Sequence, residues 1–315
     1  MEDRAGWAMA IGEHEPAFAP IAVNRPARTA NPTIRTVVFN AQSGAQFDGI
    51  VTCLQRPPLA GADLILLCEA SWRMARAGRR EFAAELAARL GMSFVFGPEF
   101  GVARAAGPPG AFIGNAILSS VPLSDVRMIT LPGYRLRLRR VNLIGEPRAL
   151  AATAIFHERP LTVCVGHLNS RGIPAQRELQ MAALIDGLPR GGRTVIGGDW
   201  NTTTMGLGEP REVAMLAARM IARPLRLRYP ERYEPLFGRL ARAGFALEGA
   251  NLAGRSTFTF SRIIAPLLRP KLDWIAYRGV EPIAGSARVM APRTSLLARR
   301  LSDHDFVMCE FAPAP

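Results

Sequence analysis

The sequence predicts a mixed α/β fold built on two packed β-sheets. Three observations point there: short β-branched or apolar runs recur from Ile34 almost to the C-terminus, amphipathic helical stripes fall between some of them, and Gly or Pro marks the boundaries. With 315 residues, 49% of them hydrophobic, the chain has the material for the core of one large domain. Neither the order of elements nor the placement of glycines gives a dinucleotide-binding fingerprint or a P-loop, and no repeat of fixed period is present.

Taken in order, residues 1–33 mix Pro, Ala, Asn and charge without periodicity, and are expected to form an irregular leader before a single domain at 34–313. The predicted strands are Ile34–Asn40, Asp63–Glu69, Met92–Phe96, Phe112–Ser119, Ala149–Phe156, Leu161–His167, Arg193–Gly198, Leu272–Tyr277 and Asp305–Phe311. Phe82, Leu86 and Leu90 form one helical stripe, and Met181, Leu184, Ile185 and Leu188 form another. Helices of this kind cover sheet faces.

No run approaches the roughly 18 apolar residues that a spanning helix requires, and acids stand where a signal peptide has basic residues before an apolar run. The expected location is therefore cytoplasmic. Cys53, Cys68, Cys164 and Cys309 lack metal-ligand spacing, and three of them lie inside apolar runs, so they read as reduced thiols. A net charge of +13 and a pI near 11.0 fit a phosphate-bearing partner, either nucleic acid or an anionic membrane. They equally fit a GC-rich coding sequence, because Lys271 is the only lysine among 39 basic residues.

The chemistry is carried by polar residues at strand ends. Asn40 closes TVVFN, Glu69 closes DLILLCE, His167 closes LTVCVGH, and Asp199 with Asn201 follows RTVIGG. Asp273 opens LDWIAY, while Asp303 and His304 precede DFVMCEF. If the last two strands run antiparallel to the first four, all eight residues meet at one edge. A single Asp or Asn at a strand end is ordinarily a turn or cap residue, but core packing does not explain so many together. Glu69 is the hardest to dismiss alone, since a carboxylate after a buried apolar run needs a partner or a metal. Alternation turns Cys68 to the opposite face, into the core. Carboxylates and amides without cysteine suit a hard cation such as Mg²⁺ or Mn²⁺.

The segments GNAILS (Gly114–Ser119), GHLNS (Gly166–Ser170), GGDWNT (Gly197–Thr202), LDWI (Leu272–Ile275) and SDH (Ser302–His304) resemble, in order, the motifs of the endonuclease/exonuclease/phosphatase superfamily. The resemblance runs from about Ile34 to Phe311 and implies a four-layered α/β/β/α sandwich with two mixed sheets. It implies a divalent-metal-dependent hydrolase of phosphoric esters, with Asn40, Glu69 and Asp303 on the metal side. Asp199 looks like the residue that orients or deprotonates the attacking water, and Asn201 and His167 like contacts to the scissile phosphate. His304 looks like a further phosphate contact oriented by Asp273, and Asn115 matches a substrate-facing position. Many members carry Gln before the metal-binding Glu, where this chain has Cys68, a departure that disfavours the abasic-site endonuclease branch.

The substrate is less legible. Nucleic acid and phospholipid-type substrates stay open, with a nuclease or phosphodiesterase on one side and a phospholipase C- or sphingomyelinase-like enzyme on the other. Inositol phosphates are disfavoured. Arg135, Arg137 and Arg139 fall on one face of an expected strand, a geometry that follows a phosphate backbone, an anionic bilayer or plain water. Arg223–Tyr233 and Ser261–Lys271 mix arginine with apolar residues, and Ile263, Ile264, Leu267 and Leu268 are expected either at an active-site rim or in a packed loop. Arg177 and Gln180 resemble the family's Arg-and-Gln pattern and serve either as a tie to the site or as a solvated helix face. A catalytically silent anionic-ligand module is disfavoured by the intact polar set, and an esterase of another fold by the missing nucleophile.

Overall fold

Strands covered on both faces need apolar residues in both registers, which is why the central runs are continuously hydrophobic rather than alternating. The computed structural model describes residues 18–27, 31–102, 110–133, 143–203, 218, 224–259 and 269–312. Its first sheet has nine strands around a parallel pair, β2 (Ile34–Asn40) and β3 (Leu64–Trp72). Beyond β3 come β5 (Phe112–Ser119), β4 (Ser93–Val102) and β1 (Ile21–Val23). Beyond β2 come β14 (Phe306–Ala312) and β12 (Glu281–Pro282), while β13 (Arg288–Met290) pairs with β14 and β7 (Leu143–Gly145) with β4.

The second sheet has five strands. Its order is β11 (Asp273–Arg278), β10 (Thr194–Asp199), β9 (Arg159–Val165), β8 (Arg148–Phe156) and β6 (Leu123–Thr130). β9 and β10 are parallel, and β11 and β14 run antiparallel to β10 and β2, as the convergence of the site requires.

Three apolar clusters divide the molecule into four layers. Val38, Leu66 and Cys68 from the first sheet meet Val163, Val195 and Ile275 from the second between the sheets. One residue out of phase, Val37, Phe39, Ile65 and Leu67 face outward onto helices α1 (Phe47–Leu54) and α2 (Phe82–Leu90). On the far side Cys164, Ile196 and Trp274 pack against α3 (Pro174–Asp186) and α4 (Pro235–Arg242) through Met181, Leu184, Leu236 and Leu240. The arrangement is the expected α/β/β/α sandwich. All four cysteines are buried and free, and no helix among the described residues is long and apolar enough to cross a membrane.

Departures from the sequence reading have local causes. Ile21–Val23, within the leader, pairs with Phe94–Phe96 as an edge strand. β6 escaped detection because it is the other sheet's edge, with exposed Ser124, Asp125 and Arg127 and a bulge between Ser124 and Arg127. α1, FDGIVTCL, carries Gly, Val and Thr, which are poor helix formers, and is held by the stripe Phe47, Ile50, Val51 and Leu54. β3 does not end at Glu69 but continues to Trp72 through a bulge between Leu67 and Ala70. The arginine-rich strand expected at Tyr134–Val141, and Ile263, Ile264, Leu267 and Leu268, lie outside the described residues.

Candidate active site

The eight residues expected at one edge are brought there by both sheets. Asn40 ends β2, Asp199 ends β10, and Asp273 begins β11 directly opposite Asp199 in the antiparallel register. Two glycines before Asp199 let the sheets close on it. A Cβ on Gly197 would collide with Val38 and Leu66 of the facing sheet, and Gly198, with φ near +146°, would collide with the Gly166 carbonyl. Glu69 sits in the β3 bulge with φ of 52°, a left-handed conformation uncommon outside glycine, which turns its carboxylate from the strand direction toward the site. Asn201 is likewise left-handed, at φ 48°.

Direct contacts tie the set together. Asn40 Nδ2 donates to Glu69 Oε1 at 3.1 Å and to Asp199 Oδ2 at 3.0 Å, while its Oδ1 accepts the Gln42 N–H. Two histidine nitrogens face the same Asp199 oxygen: His304 Nε2 at 3.5 Å and His167 Nε2 at 3.6 Å. His304 Nδ1 is 2.9 Å from Asp273 Oδ2, and its Nε2 is 3.9 Å from Asp303 Oδ1. Asp199 Oδ1 accepts the Asn201 N–H, and Asn201 Nδ2 donates to the Leu168 carbonyl. Cys68 is buried between the sheets, as expected, and its sulfur accepts the Asp199 N–H from beneath.

Asn115 is the exception among the sequence-predicted residues. It is fully buried within β5, with Nδ2 donating to the Arg148 carbonyl, and makes no hydrogen bond to the other eight. Beside it lies Glu99, a buried carboxylate the sequence reading missed. Glu99 is buried in the β4 bulge between Pro98 and Phe100 and accepts the Arg148 N–H at 3.1 Å. The signal was available: PEF places a carboxylate inside an apolar strand, the reasoning already applied to Glu69. Ser302 was also missed; its hydroxyl donates to the Asn40 carbonyl and accepts the His304 N–H, locking the β14 approach to the end of β2.

Charge in the site is unevenly balanced. Among the described residues, no Lys or Arg side chain pairs with Glu69, Asp199 or Asp303. Burial opposes a charge on His304, but Asp273, Asp199 and Asp303 outweigh it and hold its pKa at about 10, so it is an imidazolium at neutral pH. Burial likewise opposes charge on His167, and Asp199, Glu69 and Glu99 reverse the balance and raise it. Burial lifts Glu99 to about 7 against the pull of His167, and lifts Asp303 against the pull of His304. Asp199, Asp273 and His304 offer ligand atoms within 4.8 Å of one another, a cluster that could hold a metal ion.

Behind the site, Arg177 and Gln180 are buried ties and not a solvated face. Gln180 Oε1 accepts the Asn169 N–H just after His167. Arg177 and Glu234 form an ion pair at 2.8 Å with both side chains fully buried, and Glu234 also accepts the Thr203 N–H beyond Asn201.

Solved structures share this architecture at low sequence identity. An endonuclease/exonuclease/phosphatase protein from Beutenbergia cavernae superposes with TM-score 0.59 at 16% identity, covering 89% of this chain and 71% of that one. TDP2 from D. rerio, complexed with a single-strand DNA product, gives 0.56 at 16% identity, covering 89% and 99%. Sphingomyelinase C from Streptomyces griseocarneus gives 0.51 at 14% identity, again covering 89% and 99%. No curated protein matches by sequence. The Endonuclease/Exonuclease/phosphatase family matches residues 37–304, from within β2 to His304, and the chain belongs to that family.

Proposed function

We propose that this protein is a divalent-metal-dependent phosphohydrolase that cleaves phosphodiester bonds, or phosphomonoester bonds, by attack of an activated water. Proteins of its family are typically hydrolases of phosphoester bonds. The observation that carries the reading is three carboxylates, Glu69, Asp199 and Asp303, set without Lys or Arg partners among the described residues, beside two histidines at one edge of the sheets. Carboxylates in excess of their two histidine partners at such a spot fit a bound cation, and an all-oxygen donor set fits Mg²⁺ or Mn²⁺. Glu69 and Asp303 would hold it, with Asn40 fixing the Glu69 carboxylate; Asp273 and His304 are already engaged with each other. Bound there, the cation supplies a Lewis acid to a non-bridging phosphate oxygen.

The remaining steps belong to the chain's own groups. Asp199 takes the proton of the attacking water and aligns it, its two oxygens being fixed by Asn40 and by the Asn201 N–H. His304, charged and held by Asp273, donates to the phosphate as negative charge develops. His167 and Asn201 supply further donors. No serine or cysteine nucleophile is required, and Cys68 lies in the core.

Hydrolysis of bis-p-nitrophenyl phosphate tests this. Wild type with Mg²⁺ or Mn²⁺ is expected to turn over, to stop with chelator, and to exceed Glu69→Ala and Asp199→Ala by at least about 100-fold. A wild type no faster than both variants with every metal sinks the reading. For substrate class, a nuclease is the first choice, supported by the single-strand DNA product in the TDP2 complex. A lipid phosphodiesterase is the second, supported by the sphingomyelinase C likeness. A panel of plasmid DNA, single-stranded RNA, sphingomyelin and glycerophospholipids separates them, and nucleic-acid cleavage that weakens steeply with salt marks the nuclease.

A further inference from the structure

The chain between β13 and the SDH segment makes a closed loop that the hydrolytic site does not use. Both ends of the loop lie at the site edge, because Met290 pairs with Phe306 and Ser302 binds the Asn40 carbonyl. The loop is built, not frayed. Leu301 N–H donates to the Pro292 carbonyl at 2.9 Å and closes the base, and Ala298 N–H donates to the Ser295 carbonyl across the tip. Leu301 packs over Gly49 of α1, and Arg56, beyond the end of α1, donates to the Thr294 carbonyl at 2.7 Å. Arg300 turns inward to Asp305 at 2.6 Å.

This anchored loop nevertheless presents two adjacent leucines almost wholly to solvent: Leu296 is 94% and Leu297 98% exposed. Every other large hydrophobic exposed among the described residues retains at least a third of its surface in contact with the protein. Arg293, Arg299 and Arg56 flank the tip and are exposed. No carboxylate occurs between Glu281 and Asp303, nor between Asp48 and Asp63, the two stretches that form this surface. A paired apolar tip in an uninterrupted basic collar matches the boundary of an anionic bilayer, where leucine enters the acyl region and arginine meets headgroup phosphate. A second protein surface would have to supply an acidic rim around an apolar pocket, and this chain, at +13, offers no such excess.

We propose that the loop 291–301 docks the protein on anionic lipid surfaces, inserting Leu296 and Leu297 with Arg293 and Arg299 at headgroup level. The docking is independent of what the site hydrolyses, and it is read as binding, with chelator present and no turnover. Full-length protein is floated with vesicles of phosphatidylcholine alone or mixed with phosphatidylglycerol. Wild type is expected to float with the anionic vesicles only. L296S/L297S, altered at a tip that packs on nothing, is expected to keep the wild-type melting temperature and bind at least about tenfold more weakly. R293Q/R299Q is expected to lose binding too, with a shallower salt dependence. The proposal is overturned if wild type stays at the bottom of the gradient, or if L296S/L297S floats as well as wild type. It is equally overturned if the leucines instead hold a dimer, so that the variant changes sedimentation and not vesicle binding.

Discussion

The two histidines aim Nε2 at one Asp199 oxygen from almost equal distances, 3.5 and 3.6 Å, yet they are held there in different ways. His304 is held through its ring: Asp273 takes Nδ1, Ser302 fixes the backbone N–H, and Phe258 packs edge-on at 4.8 Å. His167 is held through its backbone. Gly166 N–H pairs with the Gly197 carbonyl, Leu168 N–H with the Asp199 carbonyl, and Asn169 N–H with Gln180 on α3. The carboxylates that raise its pKa act on it as surrounding charge, and its side chain is 21% exposed against 6% for His304. In the proposed mechanism a donor whose charge must persist is clamped by a counter-ion at its second ring nitrogen, while His167 has its backbone fixed and only the longer 3.6 Å approach to Asp199 at its ring. The two arms should therefore fail differently.

The largest effect expected is at the brace of the His167 arm. Arg177→Met leaves Glu234 buried without its main partner and should destabilise the fold by about 3–5 kcal/mol, read by denaturant unfolding. Its kcat per folded molecule should fall as well, because Glu234 also holds Thr203 beside Asn201; an unchanged kcat would show that the brace stabilises without orienting. Next come the rings themselves. Under saturating metal, His304→Gln should lower kcat by about 10³ and His167→Gln by about 10². Equal losses would erase the distinction between a donor clamped at its ring and one held by its backbone.

That distinction was partly readable in the sequence. A strand buried on both faces is a continuous apolar run, so the residue that breaks it, Asn40 or Asp199, announces the sheet edge, and parity put Cys68 in the core. Bulges are what the pattern hides. Glu69 and Glu99 both lie at irregularities in β3 and β4; Glu69 was found because it ended an apolar run, and Glu99 was missed because Gly97 and Pro98 end the expected strand at Phe96, whereas β4 bends through them and continues to Val102. The Arg177–Glu234 pair spans 57 residues and links two helices on the same outer face, a proximity that periodicity within either helix does not encode. Leu296 and Leu297 read as ordinary apolar residues until the packing left them outside.

Smaller effects test the clamp by titration. In metal-free protein, the His304 pKa is raised from an unfolded value near 6.5 to about 10. The folded state then binds the extra proton, so this stabilisation is complete below about pH 6.5 and declines as pH rises to about 10. Melting temperature should fall across that window in wild type, and His304→Gln should flatten the fall. A slope unchanged in the variant would mean that Asp273 does not hold an imidazolium.

Glu99 gives the smallest effect and the sharpest contrast, because it penalises the fold. Burial raises its carboxyl to about 7, above the unfolded value near 4.5, so the folded state again binds the extra proton and stability declines as pH rises between those values. Glu99→Gln keeps the shape and removes the titration. At pH 8 the variant should be more stable than wild type by about 1–2 kcal/mol, and near pH 4.5 the gain should vanish. The same change removes one of the charges that raise the His167 pKa, so the alkaline limb of the pH–rate profile, where the His167 donor loses its proton, should move down in pH while His304 stays charged. A variant that gains stability and leaves that limb where it was would place Glu99 outside the chemistry, as a buried acid the fold merely tolerates. A gain in stability accompanied by a moved limb would identify it as strain retained to set the charge of the weaker-held histidine.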